Sequence, residues 1–285
     1  MVFTKINWGG RYYPAIHFLN QDYVIFYSWQ SHLAWSAKLL SVKNRFGFCR
    51  DKYIKYNLFH KYLVSQGVKN ITPRTVFLAQ QLSNVLNVDL NNNNICEVSM
   101  PTIEEINQCR ELIIKNSYDG HVNKYAVIAP FGNTARNLPN NIVFAAIEYF
   151  IHKLNYHCII INNKDCEIAN NLKSMFPEKV INLCGKTSLM HIVALLKFAQ
   201  LSLTTDSAPM HISCAVQTPC IAIFSNDSSN KWAPKNFCYP IDMNVPCSPC
   251  RPEYASKCTN QICINTIQPA LVIKKIQQVQ KLFQL

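Results

Sequence analysis

Glycine and acidic side chains are scarce in this sequence of 285 residues. Its seven glycines argue against a nucleotide-binding fold of the Gly-x-Gly-x-x-Gly type, which needs several glycines in one turn. The chain carries 28 Lys and Arg against 16 Asp and Glu, a formal net charge of +12. No apolar run reaches the roughly 18 residues that span a bilayer, and Met1 is not followed by a secretory signal pattern. We therefore predict a cytoplasmic protein that contacts a membrane only at its surface.

Positive charge is concentrated in residues 1–75. This segment holds eleven Lys and Arg but only Asp22 and Asp51 as acids, so its net charge is 11 − 2 = +9. The basic residues lie among aromatic ones: Arg45, Arg50, Lys52, Lys55 and Lys61 with Phe46, Phe48, Tyr53 and Tyr56. This composition indicates an acidic partner, such as nucleic acid, anionic lipid or a phosphorylated glycan, although a Lys-rich solvated surface has the same pattern. Because no nucleic-acid-binding motif accompanies it, we predict no nucleic-acid partner.

The thirteen cysteines are an odd number scattered through apolar runs. This distribution is typical of reduced, buried thiols in a cytosolic protein rather than of a disulfide framework. The last four form the pattern Cys-x2-Cys-x7-Cys-x4-Cys, at Cys247, Cys250, Cys258 and Cys263. Four thiolates at short spacing can close a tetrahedral zinc site, and the alternatives are free thiols or redox-linked pairs. We expect no cofactor and no metal, and this cluster is the candidate that a metal would use.

Apolar runs and amphipathic segments alternate through the second half of the chain. The runs predict five strands, at 125–132, 157–161, 179–185, 201–205 and 219–224. The segments between them predict helices that begin near Pro139, Asp165, Ser188 and Pro209. Alternating strands and helices are typical of a doubly wound parallel sheet, so we predict an α/β, Rossmann-like domain over 119–285.

The first half of the chain has weaker patterns. They predict strands at 22–27 and 42–48 and helices at 31–40, 58–65 and 74–86. Thr102 and Glu105 form a capping-box pattern for a helix that ends near Asn116. We interpret residues 117–124 as a hinge and predict an incomplete Rossmann-like domain over 1–118.

The segment "TTDSAPMH" at 204–211 follows the fourth predicted strand of the second half. In an open parallel sheet, ligands bind beyond the carboxyl ends of the strands. Pro209 fits the first helical position, and the free N–H groups and dipole of such a helix favour a diphosphate. Ser207 adds a hydroxyl donor, and Asp206 is placed to bind sugar or ribose hydroxyls. An Asp/Ser cap with His211 in the core is the alternative interpretation.

The segment "INLCGKTSLMHIVALLKFAQLSLTTDSAPMHISCAVQTPCIAIF" at 181–224 resembles glycosyltransferase family 9, the ADP-heptose lipopolysaccharide heptosyltransferases. In that family a Thr-Ser-Leu turn precedes a buried helix, and the next strand ends in Asp-Ser/Thr-Gly before a His. Ala208 stands here in place of the usual glycine. The resemblance covers about residues 22–285 and is strongest from 124 to 270.

Two further loops carry the same resemblance. The segment "APFGNTARNLP" at 129–139 resembles the first phosphate-binding loop, with Asn133, Thr134 and Arg136 at matching positions and Leu138 where the family has tryptophan. The segment "SNDSSNKWAPKN" at 225–236 resembles the loop after the fifth strand, with Trp232 and Pro234 retained.

The resemblance implies a GT-B fold of two Rossmann-like domains around a cleft. It implies an inverting transfer of heptose, without a metal, from ADP-heptose to the inner core of lipopolysaccharide, by a cytoplasmic protein that contacts the anionic inner membrane peripherally. The implied nucleotide-sugar-binding residues are Asn133, Thr134, Arg136, Lys186, Asp206, Ser207, Ala208, Met210 and His211. It also brings the acids Asp165 and Glu167 near the sugar or adenine, and a solvated helix start is the alternative for them.

One family motif has no counterpart in this sequence. Members begin with a strand and loop that carry a Lys and a Gly-Asp pair, whose Asp serves as general base, whereas 6–19 has two glycines and no Asp. We therefore expect an N-terminally shortened first domain. The catalytic residues stay unassigned, because neither Asp22 nor Asp51 matches that motif. The alternative function is a catalytically impaired chain that binds a nucleotide sugar better than it transfers one.

Overall fold

The structure of the protein is a computed structural model, and it describes residues 23–26, 37–48, 61–63, 98–132, 137–248, 250 and 257–285. Contacts divide the chain into two compact units, Met1–Asn92 and Asn93–Leu285. Among the described residues, no helix is long and apolar enough to cross a bilayer.

The first unit contains a parallel sheet with the strand order β1-β2-β3. Its strands are β1 (Tyr23–Phe26), β2 (Asn44–Phe48) and β3 (Lys61–Leu63). The first two confirm the predicted strands, but the helix predicted at 58–65 is wrong. Backbone pairing with β2, which sets Phe46 beside Lys61, overrides a weak local pattern of helical type. Of the helix predicted at 31–40, residues 37–39 lie in the described part of the chain and are helical. The helix predicted at 74–86 lies outside the described residues.

The second unit contains a six-stranded sheet whose described pairings are all parallel. Its strands are β4 (Tyr125–Ala129), β5 (His157–Ile160), β6 (Val180–Asn182), β7 (Leu201–Thr205), β8 (Cys220–Ile223) and β9 (Cys238–Ile241). The spatial order is β6-β5-β4-β7-β8-β9, the arrangement of a doubly wound Rossmann sheet. Five strands match the prediction, and β9 was not predicted.

Helices cover both faces of this sheet. They are α1 (Ile103–Asn116), α2 (Asn140–Leu154), α3 (Glu167–Met175), α4 (Leu189–Phe198), α5 (Ala208–Ala215), α6 (Ser229–Trp232), α7 (Ile262–Asn265) and α8 (Pro269–Phe283). Successive side chains of β4 point to opposite faces of the sheet, as in any β-strand. Ala126 and Ile128 pack with α2 and α8, whereas Val127 and Ala129 pack with α1 and α4.

Helix α1 belongs to the second unit. Its capping box is formed as predicted: the Glu105 N–H donates to Thr102 Oγ1 at 3.2 Å, and the Thr102 N–H donates to Glu105 Oε2 at 2.7 Å. The buried residues Cys109 and Ile113 pack in the same core cluster as α4. The predicted boundary between 118 and 119 therefore differs from the division by contacts, because this apolar helix face packs on the second sheet.

Candidate functional site

The order of strands changes direction between β4 and β7, which are neighbours in the sheet. The chain leaves β4 for α2 on one face and leaves β7 for α5, whose Ile212 packs on the other. Connections that diverge in this way open a crevice at the carboxyl ends of the two strands, where ligands of doubly wound folds bind. The predicted segment 204–211 borders this crevice.

The loop after β4 forms the other border. The Gly132 N–H donates to Asn137 Oδ1 at 3.1 Å, and the Leu138 N–H donates to the Pro130 carbonyl at 2.8 Å, so the two ends of the loop are held together. The predicted ligands Asn133, Thr134 and Arg136 lie outside the described residues, and their roles stay predictions.

The start of α5 has no side-chain cap. Ser207 occupies the N-cap position, but its hydroxyl donates back to the Thr205 carbonyl at 3.2 Å and accepts from Thr205 Oγ1 at 3.1 Å. Ala208 is exposed and Pro209 follows at the second helical position. Backbone N–H groups in the first turn of a helix have no partner within the helix. This end of α5 therefore has the polarity and the uncapped geometry of an anion site.

Buried hydroxyls fix α5 on β7. Ser202 Oγ donates to Ser213 Oγ at 2.8 Å, and Ser213 Oγ donates to the Pro209 carbonyl at 2.8 Å. Met210 is fully buried in a cluster with Cys220 and Phe224. The structure thus places Met210 in the core beneath the turn, where its side chain positions α5 and does not reach the crevice.

Asp206 and His211 are both partly exposed at this turn. Burial lowers the pKa of His211 below its ordinary value, and the negative charge of Asp206 acts in the opposite direction. The imidazole is therefore neutral near pH 7, and it can donate one hydrogen bond and accept another. A carboxylate beside a neutral imidazole suits recognition of hydroxyl groups.

Lys186, another residue of the predicted site, follows strand β6. It lies beyond β6, three strand positions from β7, which corresponds to roughly 14 Å at the usual spacing between strands. Its Nζ donates to Asn116 Oδ1 at 2.6 Å and to the Asn182 carbonyl at 3.2 Å. Asn116 is the last residue of α1 and Asn182 is the last residue of β6. Neither residue was predicted to belong to the site.

Asp165 joins the same polar edge. Its carboxylate accepts from Asn170 Nδ2 at 3.3 and 3.4 Å, and Asn170 Oδ1 accepts from Asn182 Nδ2 at 2.7 Å. Glu167 is exposed in the first turn of α3, where the helix dipole favours an acid. The structure thus groups Asp165 with Lys186 beyond β5 and β6, in a second polar region.

Asp242 holds together the loops beyond β8 and β9 through its carboxylate, and the sequence did not predict this role. Its Oδ2 accepts from the Ser229 N–H at 2.9 Å and its Oδ1 from the Asn244 N–H at 3.0 Å. Cys250 contacts the loop that follows β8, because its N–H donates to the Asn226 carbonyl at 2.7 Å.

The four C-terminal cysteines all lie among the residues that the structure describes. Among the residues that the structure describes, no group of three or more His, Cys, Asp or Glu could hold a metal ion. Cys250 Sγ donates to the Cys247 carbonyl at 3.3 Å, and Cys258 Sγ donates to Asn260 Oδ1 at 3.2 Å. Burial raises the pKa of Cys250 and of Cys263. No disulfide links these four cysteines in the structure, and the zinc interpretation stays a prediction.

The model of glycosyltransferase family 9 (heptosyltransferase) matches residues 19–265. The chain is 32% identical to lipopolysaccharide heptosyltransferase 3 of Escherichia coli over 117 residues, which are 39% of this chain and 34% of the relative. It is 28% identical to lipooligosaccharide heptosyltransferase 2 of Campylobacter jejuni over 118 residues, 39% of this chain and 37% of the relative. The matched segments span about a third of these curated relatives.

Solved structures show the same architecture. A family 9 glycosyltransferase of Veillonella parvula superposes with a TM-score of 0.70 at 18% identity, over 90% of this chain and 73% of that one. ADP-heptose lipopolysaccharide heptosyltransferase II of Escherichia coli superposes with a TM-score of 0.63 at 16% identity, over 92% and 77%. The fold is therefore α/β of the GT-B type, as the sequence predicted. These matches give no support to the alternative of an impaired chain that only binds a nucleotide sugar.

Proposed function

Because the chain belongs to glycosyltransferase family 9, we propose that it transfers heptose from ADP-heptose to the inner core of lipopolysaccharide. The observation that carries this proposal is the uncapped start of α5 at the switch point between β4 and β7. A diphosphate is the ligand that suits this position, and a lipopolysaccharide heptosyltransferase is among the relatives in sequence.

The donor is held by complementary groups in this proposal. The diphosphate lies at the start of α5, where the helix dipole and backbone N–H groups stabilise its negative charge. Arg136 supplies the positive charge that a metal supplies in other transferases, so the charge that develops on the leaving ADP is neutralised by the chain itself. Asp206 accepts hydrogen bonds from sugar or ribose hydroxyls, and His211 stays neutral beside it.

The acceptor is recognised by charge in this proposal. The inner core of lipopolysaccharide is phosphorylated, and the first unit carries most of the excess of basic residues, +9 within residues 1–75. The same charge attracts the chain to the anionic cytoplasmic face of the inner membrane. The acceptor hydroxyl attacks the anomeric carbon from the face opposite ADP and inverts its configuration.

Two measurements test the donor and acceptor parts separately. Calorimetry with ADP tests the donor site: Asp206→Ala loses a hydrogen bond to a charged group, so affinity falls about 10- to 150-fold. Asp119→Ala is the matched control, because this exposed acid accepts from the nearby His121 N–H at 2.9 Å. Equal effects of both variants, or no binding of ADP, contradict the donor site.

Transfer from ADP-heptose to a heptose-deficient lipopolysaccharide, followed by mass spectrometry of the product, tests the acceptor. The expected product gains one heptose per core. Binding of ADP with no product on this acceptor rejects the acceptor assignment and leaves the donor site standing.

A further inference from the structure

Two thiols meet at the carboxyl edge of β5 and β6, away from the turn at α5. Cys166 is the N-cap residue of α3 and Cys184 follows β6. Their Sγ atoms are 3.9 Å apart. Cys184 is 2% exposed, whereas Cys166 is half-buried. The pair thus combines one thiol within reach of solvent with one held in the core.

The backbone enforces this contact. The register of the sheet pairs Ile160 with Asn182, and the Gly185 N–H donates to the Asn162 carbonyl at 2.9 Å. Gly185 has a φ of +71°, and a Cβ there would lie 3.1 Å from the Asp165 nitrogen. Only glycine tolerates both the conformation and the close approach. The two chain segments that carry the thiols are therefore in direct contact.

We propose that Cys166 and Cys184 form a reversible disulfide, for which small-molecule disulfides such as oxidised glutathione are the oxidants. The Cys166 thiolate attacks one sulfur of the small disulfide, which forms a mixed disulfide and releases one small thiolate. The Cys184 sulfur then attacks the Cys166 sulfur, and its proton passes to the small thiolate that leaves. The protein disulfide closes and the second small thiolate leaves, so two protein thiols are oxidised and one small disulfide is reduced to two thiols.

The order of the steps follows from the environment of each sulfur. Cys166 reacts first because it is accessible. Burial raises the pKa of Cys184, and the neighbouring Cys166 raises it further. Closure shortens the contact from 3.9 Å to the 2.05 Å of a disulfide. Rotation of the Cys166 side chain can supply this movement, because Cys184 Sγ is held against the Ile160 carbonyl at 3.8 Å.

The bond would join the loop before α3 to the turn after β6. It closes a loop of intermediate length, which restricts the unfolded chain and stabilises the folded one. We expect the oxidised protein to melt about 5–10 °C above the reduced protein. Reduction with dithiothreitol should return the original melting temperature.

The experiment is differential alkylation of the folded full chain after incubation with oxidised glutathione, followed by peptide mass spectrometry. The expected result is a peptide linked through Cys166 and Cys184. Cys184→Ser should accumulate glutathione on Cys166, because the second thiol is missing. Cys166→Ser should abolish the link and the rise in melting temperature. Cys247→Ser is the matched control, since it removes an exposed thiol and should leave the link intact.

Two results would overturn the proposal. One is that Cys166 and Cys184 both remain free while other cysteines are oxidised. The other is a rise in melting temperature that persists in Cys166→Ser. Cys166 is half-exposed, so its serine variant is expected to fold even where a substitution at the buried Cys184 is not tolerated.

Discussion

The guanidinium of Arg136 is the positive charge assigned to the diphosphate. We expect Arg136→Ala to weaken ADP binding by about 1.5–3 kcal/mol, the range for a hydrogen bond to a charged group. Calorimetry with ADP measures this loss. Arg110→Ala is the control, because that guanidinium lies 5.9 Å above the Phe198 ring on the α1 side of the sheet. An unchanged affinity in Arg136→Ala contradicts the assignment.

His211 makes the stability of the protein depend on pH. Burial lowers its pKa below the ordinary 6.5, so the folded chain binds this proton less tightly than the unfolded chain. Its contribution to stability is complete above about pH 6.5 and is lost as pH falls through the folded pKa. His157 acts in the same direction, because burial also lowers its pKa.

The variant His211→Gln should therefore flatten the decrease in the free energy of unfolding between about pH 7.5 and pH 5. Urea titrations at a series of pH values measure this slope. His152→Gln, on the exposed side of α2, is the control and should leave the slope unchanged. Parallel curves for His211→Gln and the wild type would show that His211 is not buried enough to matter.

At single positions, the sequence predicts which residues lie at a strand end better than it predicts where their side chains point. Asp206, Ser207 and His211 are partly exposed at the turn. Met210 is one residue from His211 but is fully buried, because neighbouring positions of a helix lie about 100° apart. Lys186 reaches Asn116 through a contact between residues 70 apart in sequence, which no local pattern reveals.

At the scale of elements, the turn between β6 and α4 depends on one glycine. Gly185→Ala adds a methyl group 3.1 Å from the Asp165 nitrogen at a φ of +71°. Gly120→Ala is the matched control, because its φ of +78° is similar but its nearest neighbour is a side-chain methyl at 3.7 Å. Left-handed backbone costs an alanine about 1–2 kcal/mol, and only Gly185→Ala adds a backbone clash. We expect urea denaturation to show the larger loss for Gly185→Ala, and equal losses would contradict this.

Elements with strong local signals were predicted well. Ser188 caps α4, where its hydroxyl accepts from the His191 N–H at 3.2 Å, and the capping box of α1 is present at Thr102. Strand β9 was missed because Pro240 lies within it, and a proline normally argues against a strand. The alternation expected of a half-buried strand is also absent from β9, whose two ends are buried and whose middle is not.

At the scale of the whole molecule, the alternation of strands and helices was enough to predict a doubly wound sheet in the second unit. Five of its six strands were predicted, most of them from apolar runs, because strands buried on both faces are rich in apolar residues. The boundary between the units has no comparable signal in the sequence. The segment 117–124 has the composition of a linker, yet α1 before it packs against α4, and only three-dimensional contacts reveal this.

Two fragments distinguish these boundaries. The fragment 93–285 retains α1, the complete six-stranded sheet and the crevice between β4 and β7, so we expect it to fold and to bind ADP. The fragment 119–285 lacks Cys109 and Ile113, which are 3% and 8% exposed, and it uncovers the apolar surface of α4. Losing the burial of two such side chains costs at least about 3 kcal/mol.

Urea denaturation followed by circular dichroism measures this difference in the free energy of unfolding. Within 93–285, Ile113→Ala should give part of the loss, whereas Ile114→Ala should give little, because Ile114 is 54% exposed. Equal stability of the two fragments would place α1 outside the second unit and support the predicted boundary between 118 and 119. A less stable 119–285 that still binds ADP while folded would show that α1 supports the sheet without taking part in the donor site.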